Sequence, residues 1–440
     1  MKILTYWWLY ILIATLPFER IPSLDFPVGE RSVTIRLSMI VAVIALIFIG
    51  SKINWREIKV SASNPILWLA LYSIVMVAST AQSLNLMRSV FVLIATLITI
   101  GVAVLISQTL KNFSLYRIYA VYTVTALAVA AFGLYQFFGD SIGLSTALTG
   151  LRENYVKEVF GFPRVQSTAL EPLFFGNYLL MPILLVAALI YTRQKLSWKS
   201  YAVLVFLVTI LGLTLSRGAI IGAGAGAILV LIGLYKYADL SSFIRLTSAA
   251  VLGIATCLLL IFVVTNATSG DPGKGKSAVN RYVKQSQAQS TATSGDSDRI
   301  VNRKLAQQAF KERPLLGYGP GAFGAYAQQA YPAMYPDSAN YPTVNNEYYE
   351  ILAETGLAGA TALVGFGITL IYQSIRKLRT KLPTYHRTWI AALLITCIAY
   401  GIQYYAFSTL YIMHIWVTVG ILLGLTAASY KFDEKVTKTS

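Results

Sequence analysis

The stretch SGDPGKGKSA, residues 269–278, fits the pattern G-x-x-x-x-G-K-[ST] from Gly270 to Ser277. Its reading decides the fold class. Read as a P-loop, it cradles phosphates with backbone N–H groups, Lys276 reaches a phosphate and Ser277 holds magnesium, so the chain is an α/β nucleotide hydrolase. That motif must follow a strand and open a helix. Here an apolar run ends near Val264, a few residues upstream, and no alternation of strands and helices appears anywhere in the chain. The stretch therefore reads as a solvated Gly-rich linker with incidental lysines, and the fold class follows from the apolar run beside it.

Composition agrees. Of 440 residues, 56% are hydrophobic and 12% charged, and the mean hydropathy is +0.61. Soluble domains carry about 25% charged residues, so the class is an all-α polytopic membrane protein. Cys257 and Cys397 both lie in apolar runs and read as small buried hydrophobes. His386 and His414 are far apart, without Cys or carboxylate company, so no metal site and no cofactor is expected.

Apolar runs of a length to cross about 30 Å of hydrocarbon fall near 2–18, 32–50, 64–80, 88–108, 115–138, 171–192, 199–215, 217–237, 243–265, 346–375, 388–406 and 409–430. The pair split by LSRGA reads either as two spans or as one broken helix. Alternate short connections carry Lys52, Arg56 and Lys59; Lys111 and Arg117; Arg193, Lys195 and Lys199; Lys236 and Arg245; and Arg376, Lys377, Arg379, Lys381 and Arg387. With twelve spans all of these share one side, which the positive-inside rule makes cytoplasmic. Much of the net charge of +17 is this topology signal, so no nucleic-acid partner is expected. The first run lacks a small-residue cleavage site and reads as a span, not a signal peptide.

The expected organisation is helices 1–9 over residues 1–265, with an outer segment at 139–170; a large outer loop over 266–345; and helices 10–12 with a short cytoplasmic tail over 346–440. The loop begins as a linker and turns helical from Arg299 to Glu312, with Asp296 or Ser297 as N-cap and Ile300, Leu305, Ala309 and Phe310 as a partial apolar face. It carries nine Lys or Arg against five Asp or Glu, which points to a negatively charged partner.

Four places on the outer face carry candidate chemistry. Arg217, between two spans, is costly at such a depth and a functional candidate by default; its planar fork suits phosphate oxygens. The plainer reading is an arginine reaching to the interface. The Gly/Ala run after it permits close helix packing. Arg299 opens the loop helix and pairs either with an anionic ligand or with Asp298 or Asp296. Arg303 lies one turn further on the same face, a spacing suited to clamping a diphosphate. Arg164 and Glu171 flank the start of the sixth span; Glu171 acts as a base, orients an arginine or caps the helix. In YPTVNNEYYEILAETGLAG (341–359), Asn345, Asn346, Glu347 and Tyr348 offer groups suited to sugar hydroxyls, beside the plainer reading of an interfacial aromatic belt and an N-cap.

The segments LSRGA, SGDSDR, PLLGYGPGAFG and NNEYYEILAETGLAG, in that order, resemble the O-antigen ligase/polymerase superfamily, bacterial membrane glycosyltransferases that use undecaprenyl-diphosphate-linked glycans. The resemblance covers most of the chain. It implies a GT-C-like fold of about twelve helices, with Arg217 and Arg299 on the lipid diphosphate. The family's His-Asn-x-Tyr-Leu motif maps onto Asn345, Asn346 and Tyr348, and its Glu-x-Gly onto Glu354 and Gly356. Asn345 stands where the family's proposed base is His. An Asn side chain cannot serve as a general base, so either Glu347 or Glu171 takes that role, or positioning and charge stabilisation suffice.

The resulting expectation is a metal-independent polymerase of lipid-linked repeats at the bacterial inner membrane, both termini cytoplasmic and the active site periplasmic. Arg217, Arg299, Arg303 and Arg164 bind the donor diphosphate; Asn345, Asn346 and Tyr348 bind the acceptor; Glu347 and Glu171 are the carboxylates of the catalytic set. Its partners are the lipid-linked glycan, a lipid-linked or lipid A core acceptor, membrane lipid and, as a further kind of partner, a chain-length regulator. The rivals are a ligase acting on lipid A core, a protein-glycosylating relative, and a transporter or flippase, which places charged sites near the midplane and often shows two related halves.

Overall fold

The structure, a computed structural model, describes residues 2–28, 31–53, 61–193, 197–269, 272–287, 294–335 and 342–427. Helix α1 (Lys2–Thr15) leads into an antiparallel hairpin of β1 (Ser23–Val28) and β2 (Arg31–Arg36), registered Ser23 to Arg36 and Phe26 to Val33. Next come α2 (Leu37–Phe48), α3 (Pro65–Ala81), α4 (Leu86–Thr109) and α5 (Leu115–Ser141). The short α6 (Thr146–Thr149) and α7 (Lys157–Phe160) precede α8 (Pro172–Tyr191), α9 (Trp198–Leu213), α10 (Arg217–Gly233) and α11 (Leu240–Ser269). Helices α12 (Pro272–Gln287), α13 (Ser294–Glu312) and α14 (Phe323–Ala330) form the large loop, and α15 (Glu347–Leu378), α16 (Thr384–Gln403) and α17 (Met413–Thr426) close the chain.

The chain is a helical multi-pass membrane protein. Among the described residues, six helices are long and apolar enough to cross a membrane: α4, α5, α8, α11, α15 and α16. The other six expected spans are present as apolar helices of 10–17 residues: the Tyr6–Thr15 part of α1, α2, α3, α9, α10 and α17. Hydropathy alone overstated the length of the second, eighth and twelfth runs, because it does not see where the backbone turns. Residues 31–36, expected inside the second span, are a strand, and LSRGA separates two helices instead of breaking one.

Helix α8 is the central post: 89% of its apolar window is buried, against 28% for the peripheral α11. The Gly/Ala run of α10 lets it press on α8 and α16. A Cβ on Gly222 would lie 3.1 Å from the Ala399 carbonyl oxygen, and one on Gly226 would lie 2.6 Å from the Leu184 side chain.

The helices alternate in direction, so their ends gather on two faces. On one, Thr192 meets Thr388 at 3.0 Å, Lys377 reaches the Ala427 carbonyl, Arg193 pairs with Asp239, and Arg387 lies over Tyr237. These are the Lys/Arg-bearing connections expected on one side; Arg56, Lys59, Lys195 and the tail lysines lie outside the described residues. The other face carries the hairpin, residues 142–171 and α12–α14, and is called the loop face below.

The Gly270–Ser277 stretch is no P-loop. The 30-residue helix α11 precedes it, and Pro272–Gln287, expected as linker, is helix α12 folded back on α11. Gly275 donates its N–H to Asn266 Oδ1 at 2.8 Å, so the glycine serves a helix crossing. Gly270 and Asp271 lie outside the described residues. Lys276 is exposed, and Lys276→Ala is expected to leave glycan transfer and membrane abundance unchanged, with stability within about 0.5 kcal/mol; a transfer assay on membranes containing the variant checks this.

Helix α13 starts at Ser294, earlier than expected, so Asp296 and Ser297 are helical residues, not caps. Its buried face is Asn302, Leu305, Ala306 and Ala309, while Ile300 is exposed. With Phe323, Tyr326, Val344 and Ala353 these residues form a second, smaller core. The Asp296 and Asp298 side chains, expected partners of Arg299, lie outside the described residues.

Two glycine motifs lock that core to the bundle. Gly356 interrupts α15 with φ 62° and ψ −162°. The amides past the kink, Leu357 and Ala358, donate to the Pro314 and Leu315 carbonyls at 2.8 and 3.2 Å. In return, Tyr318 and Gly319 donate to the Ala353 and Glu354 carbonyls. The Glu354 carboxylate accepts from Gly321 N at 2.7 Å and Phe323 N at 3.2 Å. Ser79 Oγ of α3 joins both strands of this clasp, 2.6 Å from Leu316 O and 2.8 Å from Glu354 O. The Glu354 carboxylate thus has both oxygens on the loop's amides.

Candidate active site

Arg217 is the first residue of α10. The chain reaches it through Leu215, whose φ of 49° is left-handed, and Ser216, the N-cap. The guanidinium therefore stands at the positive end of a helix dipole. Beneath it, Gly176 of α8 leaves room for Ser216 and Ala219, and Gly218 packs on Gln403 and Ala406 at the end of α16.

Arg164 sits alongside. Its Nε and Nη2 donate to the carbonyls of Thr214 and Leu215 at 3.3 and 3.4 Å, directly before Arg217. Burial lowers its pKa from the usual guanidinium value; Tyr155 and Glu171 oppose this, and the charges of Arg217 and Arg299 reinforce it. Three arginines from three separate segments are thus within electrostatic reach of one another.

Glu171 occupies the N-cap position of α8 but its side chain makes no cap. It pairs instead with Arg152 at 3.9 Å, both side chains about 40% exposed, and its charge acts on the Tyr155 hydroxyl. Burial, then the Glu171 charge, pushes the Tyr155 hydroxyl up to about 12. Nearby, Arg36 and Glu19 form an ion pair at 3.4 Å with little exposure. Burial holds the Glu19 carboxyl above the ordinary glutamate range even so.

Residues 404–406 form a helical turn that joins Arg303 to the start of α15. The Tyr405 carbonyl accepts from Arg303 Nη2 at 3.2 Å and from Asn346 Nδ2 at 2.9 Å, and Arg303 lies over the Tyr405 ring at 4.9 Å. Asn346 also caps α15, accepting from Tyr349 N at 3.2 Å, and it is fully buried. Asn345 has φ 52°, a backbone region in which Asn, Asp and His are all enriched. That backbone suits the His of the family motif as well as the Asn found here. Glu347 is buried and accepts from Thr409 N at 2.6 Å. Tyr348 is half exposed and donates to the Gly401 carbonyl at 2.6 Å.

Below this turn, α15, α16 and α17 enclose an apolar cavity of about 650 Å³. Glu347, Tyr348, Tyr404 and Tyr405 stand at its polar end; Phe366, Leu370, Leu394 and Val419 line its depth.

Backbone strain gathers here too. Among the described residues five non-glycine residues have positive φ, and Ser167, Leu215, Asn345 and Thr409 belong to the loop face; only Arg193 does not. Such conformations persist where the surrounding structure over-determines them, and they concentrate at functional sites.

Residues 202–364 match the family model described as O-antigen ligase. Over this segment, about a third of its length, the chain is similar to the O-antigen ligase family. The matched residues include Arg217, Arg299, Arg303 and Asn345 to Tyr348; Arg164 and Glu171 lie outside them. No curated protein compared with the chain matches it. The superfamily's enzymes are of the glycosyltransferase type, acting on lipid-linked glycans.

Sequence reasoning missed Tyr155, Arg152, Arg36 and the 404–406 turn. Only the last left a signal, the paired tyrosines of IQYYAF at the end of an apolar run.

Proposed function

We propose that this protein polymerises oligosaccharide repeats carried on undecaprenyl diphosphate. The observation that carries the reading is that Arg164, Arg217 and Arg299 act on one another electrostatically, beside a 404–406 turn that Arg303 and Gly218 contact at the polar end of an apolar cavity. A lipid diphosphate has those two parts: an anion for the arginines and a long apolar chain for the cavity. In this reading the twelve apolar helices all cross the bilayer, and the loop face is periplasmic because the Lys/Arg-rich connections gather opposite.

In the transfer step, a hydroxyl oxygen of the acceptor bonds the anomeric carbon of the donor. The bond from that carbon to the diphosphate oxygen breaks, and its electron pair leaves with the diphosphate. The arginines stabilise the charge that develops there. Arg303 supports the turn. Glu347, at the cavity mouth, receives the hydroxyl proton, with Glu171 the alternative base. Asn345, Asn346 and Tyr348 shape the acceptor side: Asn346 through the backbone it holds, Tyr348 through its exposed ring. In this reading the arginines supply the charge stabilisation at the leaving diphosphate.

The matched family's description favours a second reading, transfer of the finished glycan to lipid A core. Asn345 in the His position weighs against it. Cells lacking the gene separate the two on a gel of surface and lipid-linked glycans. The polymerase reading expects single repeats on lipid A core and no long chains. Long chains that persist on the carrier lipid would make the protein the ligase.

A further inference from the structure

A second pocket opens on the loop face, and nothing in the reaction outlined above uses it. It holds about 510 Å³ and is lined by Arg20, Thr146, Leu151, Arg152, Glu153 and Asn154 and by the exposed Ala147. We propose that it is a saccharide subsite for the lipid-linked glycan, an inference that rests on the glycosyltransferase reading of the arginine site.

The lining argues for a sugar over a simple anion. A phosphate needs donors. This pocket sets guanidiniums and an amide beside the Glu153 carboxylate, which repels anions but accepts from hydroxyls. Thr146 both donates and accepts, as sugar hydroxyls do. Leu151, buried at its floor, and Ala147 offer apolar contact for the C–H face of a ring. The volume lies in the ~300–1,000 Å³ range of small-molecule sites, and the open mouth lets a longer glycan continue outward.

The rim is built rigidly. Gly150 turns the chain in a left-handed conformation, φ 69°. Its carbonyl accepts from Arg20 Nη1 at 2.7 Å and from Gln166 Nε2 at 3.1 Å. The buried Gln136 ties the Thr149 carbonyl to Ser167. Asp140 accepts from Lys157 N at 2.8 Å, closing the far end of the segment. Preorganisation of this kind lowers the entropy lost on binding.

The pocket also leads to the reacting centre. Arg152 in its wall pairs with Glu171, the Glu171 charge acts on the Tyr155 hydroxyl, and the Tyr155 carbonyl accepts from Arg164 N at 2.8 Å. Arg164 in turn holds the carbonyls just before Arg217. A glycan whose anomeric carbon lies at the arginines can rest its sugars along this ledge.

Ala147→Trp fills the pocket from an exposed position, and Asn154→Ala removes one polar group without adding bulk. Full-length protein in detergent is assayed with lipid-linked repeats extracted from cells lacking the gene, with Arg217→Ala in parallel. The expected result for Ala147→Trp is a KM raised roughly tenfold with kcat within about threefold, the pattern of lost substrate binding. Asn154→Ala moves KM in the same direction by less. Undecaprenyl diphosphate without glycan inhibits wild type and both variants at equal concentration. An unchanged KM in both variants, with Arg217→Ala inactive, overturns the subsite and leaves the reaction standing. Weaker inhibition of the variants by the glycan-free lipid makes the pocket an anion site and also overturns it. Full activity of Arg217→Ala removes the reading beneath, and the subsite with it.

Discussion

Arg217→Ala is expected to lower glycan transfer by about 10²–10³-fold, the usual cost of removing one preorganised donor from a developing negative charge, with membrane abundance unchanged. The size of the effect follows from how the residue is held. Leu215 in a left-handed turn, the Ser216 cap and the two Arg164 bonds to the carbonyls before it fix the guanidinium at the start of α10. The Gly176 and Gly218 contacts leave that turn no room to shift. Such a group costs no reorganisation when the diphosphate accepts charge. Arg217→Lys keeps the charge and loses the planar fork, so it should retain an intermediate activity, roughly tenfold to a hundredfold down. Transfer by the alanine variant at wild-type rate, measured on lipid-linked repeats in isolated membranes, would take Arg217 out of the reaction.

Gly356→Val is expected to undock the loop. A Cβ at Gly356 would lie 2.4 Å from the Leu315 carbonyl carbon and oxygen, both backbone atoms that cannot swing away. The φ of 62° with ψ −162° is in addition a conformation open essentially to glycine alone. Strain and clash together place the substitution among the severe ones, above about 4 kcal/mol for the docked loop. The bundle below need not unfold, because α13, α14 and the 314–323 turn form a core of their own. Limited proteolysis of membrane vesicles should therefore cut the 313–346 region of the variant rapidly while the helices stay protected, and transfer should be lost. Glu354→Gln serves as the graded comparison. One amide oxygen can still accept from Gly321 or Phe323, so partial protection is expected. Wild-type protease resistance in Gly356→Val would show that the clasp does not hold the loop.

Several features were legible from local sequence. Twelve apolar runs became twelve apolar helices in order, and the Lys/Arg-bearing connections at 193, 236–245 and 376–387 meet on one face. LSRGA was readable as an arginine at a helix start because a charge between two apolar runs is expensive wherever the chain folds. The Gly/Ala run of α10 announced close packing, and Asn346 announced a cap. The resemblance carried by SGDSDR, PLLGYGPGAFG and NNEYYEILAETGLAG agrees with the family match over residues 202–364. Hydropathy failed on length: residues 31–36 are strand, and six helices are shorter than a span. The Gly270–Ser277 pattern misled because four letters describe a phosphate loop only when a strand stands before them, and here a 30-residue helix does.

What the sequence by itself determined is therefore the set of local properties: apolar length, charge placement, caps and turns, each fixed by residues within one or two helical turns of one another. Only the tertiary structure decided which of them meet. Arg164, Arg217 and Arg299 belong to three segments whose spacing carries no common period: Arg164 reaches Arg217 through the Thr214 and Leu215 carbonyls, and α13, which carries Arg299, is held by its packing on α15. Glu354 was legible only as part of a family motif, and its place in the clasp came with the amides that PLLGYGPGAFG lays against it. Glu171 was equally open to a base, an arginine's partner or a cap; its side chain makes no cap and Arg152 stands beside it. Convergence of this kind depends on helix packing across the whole bundle, which no local pattern encodes.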